Sequence, residues 1–134
     1  MPTKWNVNPG REEIALLMEA GFIYCEAGRH EEAREVFAGV RALQPGNETA
    51  EIGLGLAAFH RSDLPAALRH YQKALAINPA SAFAFAQMGE TEWFARNKDA
   101  ARRHLQQAIE LDPRGEFGRL ARSLLALADH PSFR

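Results

Sequence analysis

From Glu12 onward, apolar residues return at steps of three and four, the period of an amphipathic helix. Ile14, Leu17, Met18, Gly21, Phe22 and Cys25 predict a first helix ending near Gly28. His30 to Leu43 predicts a second, with Ala33, Val36, Phe37 and Val40 on one side and Glu31, Glu32, Arg34, Glu35 and Arg41 on the other. Between Glu48 and Arg61, Ile52, Leu54, Leu56, Ala57, Ala58 and Phe59 leave almost no polar face, so this helix must be packed on more than one side. Further helices are expected up to Ile77, from Ser81 to about Arg96, from Lys98 to Leu111 and from Glu116 to Ala128.

The breaks between helices recur. Gln44-Pro45-Gly46-Asn47 and Asn78-Pro79-Ala80-Ser81 each stop one helix and offer a side chain to cap the next, and Asp112-Pro113-Arg114-Gly115 punctuates a third time. Asp63 is placed to cap the helix that has Pro65 in its first turn, where a missing N–H does no harm. Shifting the sequence by 34 residues superposes Gly21, Gly55 and Gly89, then Ala33, Ala67 and Ala101, then Pro45, Pro79 and Pro113. Phe37, Tyr71 and Leu105 keep the same spacing. The chain is therefore expected to hold three helix-turn-helix repeats, 14–47, 48–81 and 82–115, within a domain spanning 12–129. The helix 116–128 shows Phe117, Leu120, Ala121, Leu124 and Leu127 on one face and reads as a cap for the apolar end of the stack. Residues 1–11, with two prolines and Trp5, read as an N-terminal arm, and 130–134 as a tail.

A glycine inside a helix costs about 1 kcal/mol relative to alanine, so the repeated glycines need a compensating contact. The expectation is close approach of Gly21 to Ala33, Gly55 to Ala67 and Gly89 to Ala101.

The pattern of a large residue, small-Gly, a ring, then Ala, an aromatic and Pro resembles the tetratricopeptide repeat. It is carried by Leu17, Ala20-Gly21, Tyr24, Ala33, Phe37 and Pro45 in the first copy, and by Leu54-Gly55, Ala67, Tyr71 and Pro79 in the second. In the third it is carried by Phe85, Met88-Gly89, Ala101, Leu105 and Pro113. Glu51 and Glu92 depart from the apolar or aromatic residues usual at their places, and a carboxylate there must reach water or find a cation. The resemblance implies an all-α, right-handed α-solenoid whose first helices of each repeat line a concave groove for a peptide or helix of a partner protein. Carried onto this chain, the groove-facing positions include Met18, Phe22 and Cys25, then Ile52, Leu56, Phe59 and His60, then Phe83, Glu90, Trp93 and Phe94.

An apolar groove implies a partner with an apolar segment, and a role as chaperone or adaptor. Where related repeats carry a carboxylate clamp for heat-shock chaperone C-termini, this chain holds Met18, Phe22, Gly53, Phe83 and Gln87, so no clamp is expected. In size, repeat number and groove character the chain is similar to the small chaperones of bacterial type III secretion. The alternative is a structural homo-oligomer, such as a homodimer, whose groove is filled by a second copy or by the arm through Trp5.

Composition narrows the remaining classes. Lys and Arg number 16 against 17 Asp and Glu, a formal net charge of −1, which argues against nucleic acid. Cys25 is the only cysteine, no apolar run has the length of a membrane span, and the N-terminus does not read as a signal peptide, so a cytoplasmic protein is expected with no membrane partner. No cofactor, metal or enzymatic activity is expected either. No His-Glu-x-x-His or paired-cysteine spacing occurs, and His70 and His104, being repeat-equivalent, read as duplicated surface residues.

Overall fold

The computed structural model describes residues 10–130. The arm and tail expected from sequence therefore lie almost wholly outside the described residues. Within them are seven α-helices and no strand: α1 (Arg11–Glu26), α2 (His30–Leu43), α3 (Glu48–His60), α4 (Leu64–Ile77), α5 (Ala82–Phe94), α6 (Lys98–Leu111) and α7 (Glu116–Asp129). The expected all-α solenoid is the fold observed. Each of α1/α2, α3/α4 and α5/α6 is a hairpin, each hairpin packs on the next, and α7 closes against α5 and α6.

The stop-and-cap chemistry works as the residues suggest. Asn47 accepts from Ala50 N at 3.1 Å, Asp63 from Ala66 N at 3.2 Å and Ser81 from Ala84 N at 3.1 Å. The backbone bond from Ala66 N, first among several causes, holds the Asp63 carboxyl below its ordinary range. The third junction departs from the pattern. Gly115 has no side chain to offer, and Asp112 from the preceding turn accepts from Phe117 N at 3.1 Å instead. Gly118 then lets α7 begin there, since a Cβ on it would lie 1.8 Å from the Asp112 carbonyl oxygen.

The tightest contact of each repeated glycine is with a larger residue than the alanine expected. A Cβ on Gly21 would strike the Phe37 ring at 2.6 Å, one on Gly55 the Tyr71 ring at 2.4 Å, and one on Gly89 the Leu105 side chain at 2.6 Å. The nearest neighbour of each glycine is thus the large residue of the following helix, and Gly89 also approaches backbone of its paired alanine, the Ala101 oxygen at 3.2 Å. The physical reason is volume: deleting one Cβ on the first helix makes the notch that a whole ring on the second fills. Phe37, Tyr71 and Leu105 are accordingly the centres of three successive core clusters.

The Tyr71 hydroxyl is buried and faces the Thr91 side chain without a well-formed hydrogen bond. Tyr71→Phe is expected to keep full stability or gain up to about 1 kcal/mol, measured by urea denaturation. A loss of stability would mean that the hydroxyl is satisfied.

Candidate functional site

The first helices of the hairpins carry an aromatic row. Phe22 on α1 meets the Phe37 ring edge-on at 5.0 Å and Phe83 on α5 at 6.1 Å. Phe83 in turn stacks on Phe117 of α7 at 4.5 Å with an interplanar angle of 11°. Because α3 lies between α1 and α5 in the stack, rings from those two helices can meet only if α1, α3 and α5 curve toward one side. That side is the concave face, and Leu56 of α3 packs against the clusters on both sides of it.

The residues expected to line this face separate into three groups. Met18, Cys25 and Ile52 are buried, at 7%, 3% and 0% exposure, and support the face from beneath instead of presenting themselves on it. Burial, with the Glu26 charge adding to it, pushes the Cys25 thiol up to about 11, so it stays protonated and unreactive at neutral pH. Phe22, Leu56 and Phe83 are half-buried, with Phe22 and Phe83 committed to the ring row. Phe59, His60, Trp93 and Phe94 gather at the C-terminal ends of α3 and α5. There Phe59 meets Phe94 at 5.5 Å and His60 at 5.7 Å, each edge-on. Phe59, His60, Phe94, Ser62 and Leu64 line an open depression of about 390 Å³. Phe94 is 60% exposed, and the half-buried Trp93 carries the Lys98 ammonium over its ring at 5.7 Å.

Phe117 was not expected here; its place on the apolar face of the terminal helix reads as a cap residue, and nothing local in the sequence reveals that its ring reaches Phe83.

Glu90 is half-buried, and desolvation raises its carboxyl above the ordinary range. A native pKa above the unfolded one means that the ionised form is the strained one. The cost is therefore present at pH values above the native pKa and disappears below the unfolded pKa. Glu90→Gln is expected to raise the melting temperature at pH 7 and to give no such gain near pH 3.

The two exceptional carboxylates both find partners. Glu51 is buried and accepts from Arg41 at 3.5 Å while its other oxygen lies 3.1 Å from His70 Nδ1. Glu92, also buried, lies 2.5 Å from His104 Nδ1. His70 and His104 are thus half-buried partners of these carboxylates, correcting their reading as plain surface residues. The two glutamates are not repeat-equivalent. Each duplicated histidine sits between two turns of the preceding helix and takes its carboxylate from the earlier turn in one repeat and the later turn in the next. Phe85, which occupies the place of Glu51 in the third repeat, stacks on His104 at 5.8 Å.

No helix among the described residues is long and apolar enough to cross a membrane. Family models described as tetratricopeptide repeat match residues 20–82 and 84–114. No curated protein matches the chain by sequence. Among solved structures, the type III secretion translocator chaperone SycD of Yersinia enterocolitica is similar at 18% identity and a TM-score of 0.75, over 87% of this chain and 91% of that one. PcrH, in complex with the chaperone binding region of PopB, is similar at 18% identity and a TM-score of 0.74, over 89% and 97%. The first such domain of Spaghetti (RPAP3), bound to an HSP90 peptide, is similar at 20% identity and 0.69, over 92% and 99%. At these identities the likeness extends to the fold.

Proposed function

Because the chain belongs to the tetratricopeptide repeat family, we propose that it is a protein-interaction module that holds an apolar peptide or helix of a partner on its concave face, as a chaperone or adaptor. The observation that carries this reading is the open aromatic end at Phe59 and Phe94, where large rings remain partly or mostly in water beside a depression that a side chain could fill. Such a patch gains from any partner that removes it from water, by roughly 1.5–3 kcal/mol for each large apolar side chain buried.

Apolar contacts, with no clamp of cations, distinguish this face from one made for an acidic C-terminus. The depression between Phe59 and Phe94 is lined by no Lys or Arg. PcrH, similar in fold, is seen with a segment of PopB, which makes the secretion-chaperone role the form of the proposal to test first. Selecting a displayed peptide library on the full chain is expected to enrich peptides with two or three large apolar residues. Enrichment of acidic C-terminal peptides, or of nothing, would overturn the reading.

A second reading rests on α1. Its Leu16 is 65% exposed and its Ile23 57%, one helical face apart by two turns, so the outer side of the first helix offers a contact for a second copy or for the arm. Light scattering on the full chain and on a chain beginning at Arg11 tests it. A monomer in both cases contradicts the homo-oligomer, and a dimer that survives loss of the arm supports it.

A further inference from the structure

On α3, Leu54 and Ala58 point away from Ile52, Leu56 and Phe59, because at 100° per residue the two sets fall on opposite sides of the helix, and Arg61 follows at the helix C-cap. That far side forms, with α2 and α4, a second cavity of about 180 Å³. Arg34 and Arg41 of α2, Arg61 just after α3 and His70 of α4 line it, over a floor that includes Leu54 and Ala58.

The repeat itself supplies the comparison. At the junction of the second and third repeats the places of Arg34, Arg41 and Arg61 are taken by Leu68, Leu75 and Ala95. Leu68 and Leu75 pack against the second core cluster. At the next junction the corresponding residues are Arg102, Ile109 and Asp129, and Arg102 pairs with Asp129. The scaffold therefore does not require cations here, and only the first junction brings three guanidinium groups to one cavity.

Their existing ion pairs are loose. Arg34 lies 3.3 Å from Glu31, Arg41 3.5 Å from Glu51, and Arg61 3.3 Å from Asp63 and 3.9 Å from Glu31. All exceed the roughly 2.7–2.9 Å of a tight charge-assisted hydrogen bond. Each guanidinium has five N–H donors, so most remain free for a ligand. A single carboxylate entering the cavity would only compete with carboxylates already present. A phosphate monoester brings a charge of about −1.5 to −2 and three acceptor oxygens, matching three guanidinium groups, two from α2 and one from the end of α3.

We propose that the cavity between α2, α3 and α4 binds a phosphate group, separately from the aromatic face. The group could arrive as inorganic phosphate or on a phosphorylated side chain of a partner; the chemistry of recognition is the same, and the titration separates the two.

The test is to follow the arginine Nε–Hε resonances of the full chain, at constant ionic strength. Titrants are inorganic phosphate and three peptides identical except for phosphoserine, serine or glutamate at the centre. Inorganic phosphate and the phosphoserine peptide are expected to shift the Arg34, Arg41 and Arg61 signals saturably, the serine and glutamate peptides at least tenfold more weakly. Tighter binding of the phosphoserine peptide than of phosphate supports a partner's side chain as the source, and equal binding supports the free ion. Arg34→Leu with Arg41→Leu, which installs the residues of the next junction, is expected to weaken both at least tenfold. Should that variant fail to fold, Arg61→Ala alone is expected to weaken them several-fold. No saturable shift, equal binding of the glutamate peptide, or unchanged affinity in the folded variants would overturn the proposal.

Discussion

Gly53→Ala is expected to destabilise the chain by about 2–3 kcal/mol, the upper part of the range of core overpacking, although the same exchange in an open helix gains about 1 kcal/mol. A Cβ at Gly53 would lie 2.3 Å from the Phe37 ring, and on the opposite flank a Cβ at Gly21 would lie 2.6 Å from it. The ring is thus held between α1 of its own repeat and α3 of the next, fully buried, with no direction in which to yield. Gly39, in contrast, is exposed on α2 with nothing within 4 Å of its notional Cβ. Gly39→Ala is the control, expected to stabilise by up to about 1 kcal/mol. In thermal melts the two exchanges should move in opposite directions, Gly53→Ala downward by roughly 10 °C. A Gly53→Ala protein that melts higher than the parent would show that Phe37 is not the link between the first two repeats.

The largest functional effect is expected from Phe94→Glu. Phe94 is mostly in water, so the exchange gives up little beyond its edge-on contact with Phe59, worth about 0.5–1.5 kcal/mol. A captured apolar segment would lose far more. Removing one buried ring forfeits roughly 1.5–3 kcal/mol, and at 1.4 kcal/mol per tenfold the affinity for a selected peptide should fall about 10- to 100-fold, with helix content unchanged. Phe83 would be the wrong site for this test, because its ring is wedged between Phe22 and Phe117 and a charge there would disturb the fold. Unchanged peptide affinity in a folded Phe94→Glu protein would remove the open aromatic end from the site.

Much of the fold was legible because the repeat states its own rules three times. Helix period, proline stops and the Asn47, Asp63 and Ser81 caps are local signals, and they locate α2 and α6 to the residue. What escaped was tertiary. The small-residue columns correctly mark a close approach, but only the structure reveals that the approaching group is the ring of the next helix. The positions that resemble a groove include Met18, Cys25 and Ile52, which the curvature of three packed helices turns inward. Glu51 and Glu92 announce a need for partners, yet which turn of a neighbouring helix holds each histidine depends on helix rotation, which no local pattern records. The cationic cavity is different: the columns Arg34 with Leu68, Arg41 with Leu75 and Arg61 with Ala95 were visible in the sequence. A search for what repeats passes over what fails to repeat.

We propose the concave aromatic end as a binding surface for apolar segments. Trp93, the chain neighbour of Phe94, serves as the reporter once Trp5→Phe leaves it as the only tryptophan. Its emission should be followed while an apolar peptide from the display selection is added to the full-length chain. A saturable blue shift that Phe94→Glu weakens at least tenfold is expected; emission that stays flat while the peptide binds by an independent measure would place the binding surface elsewhere.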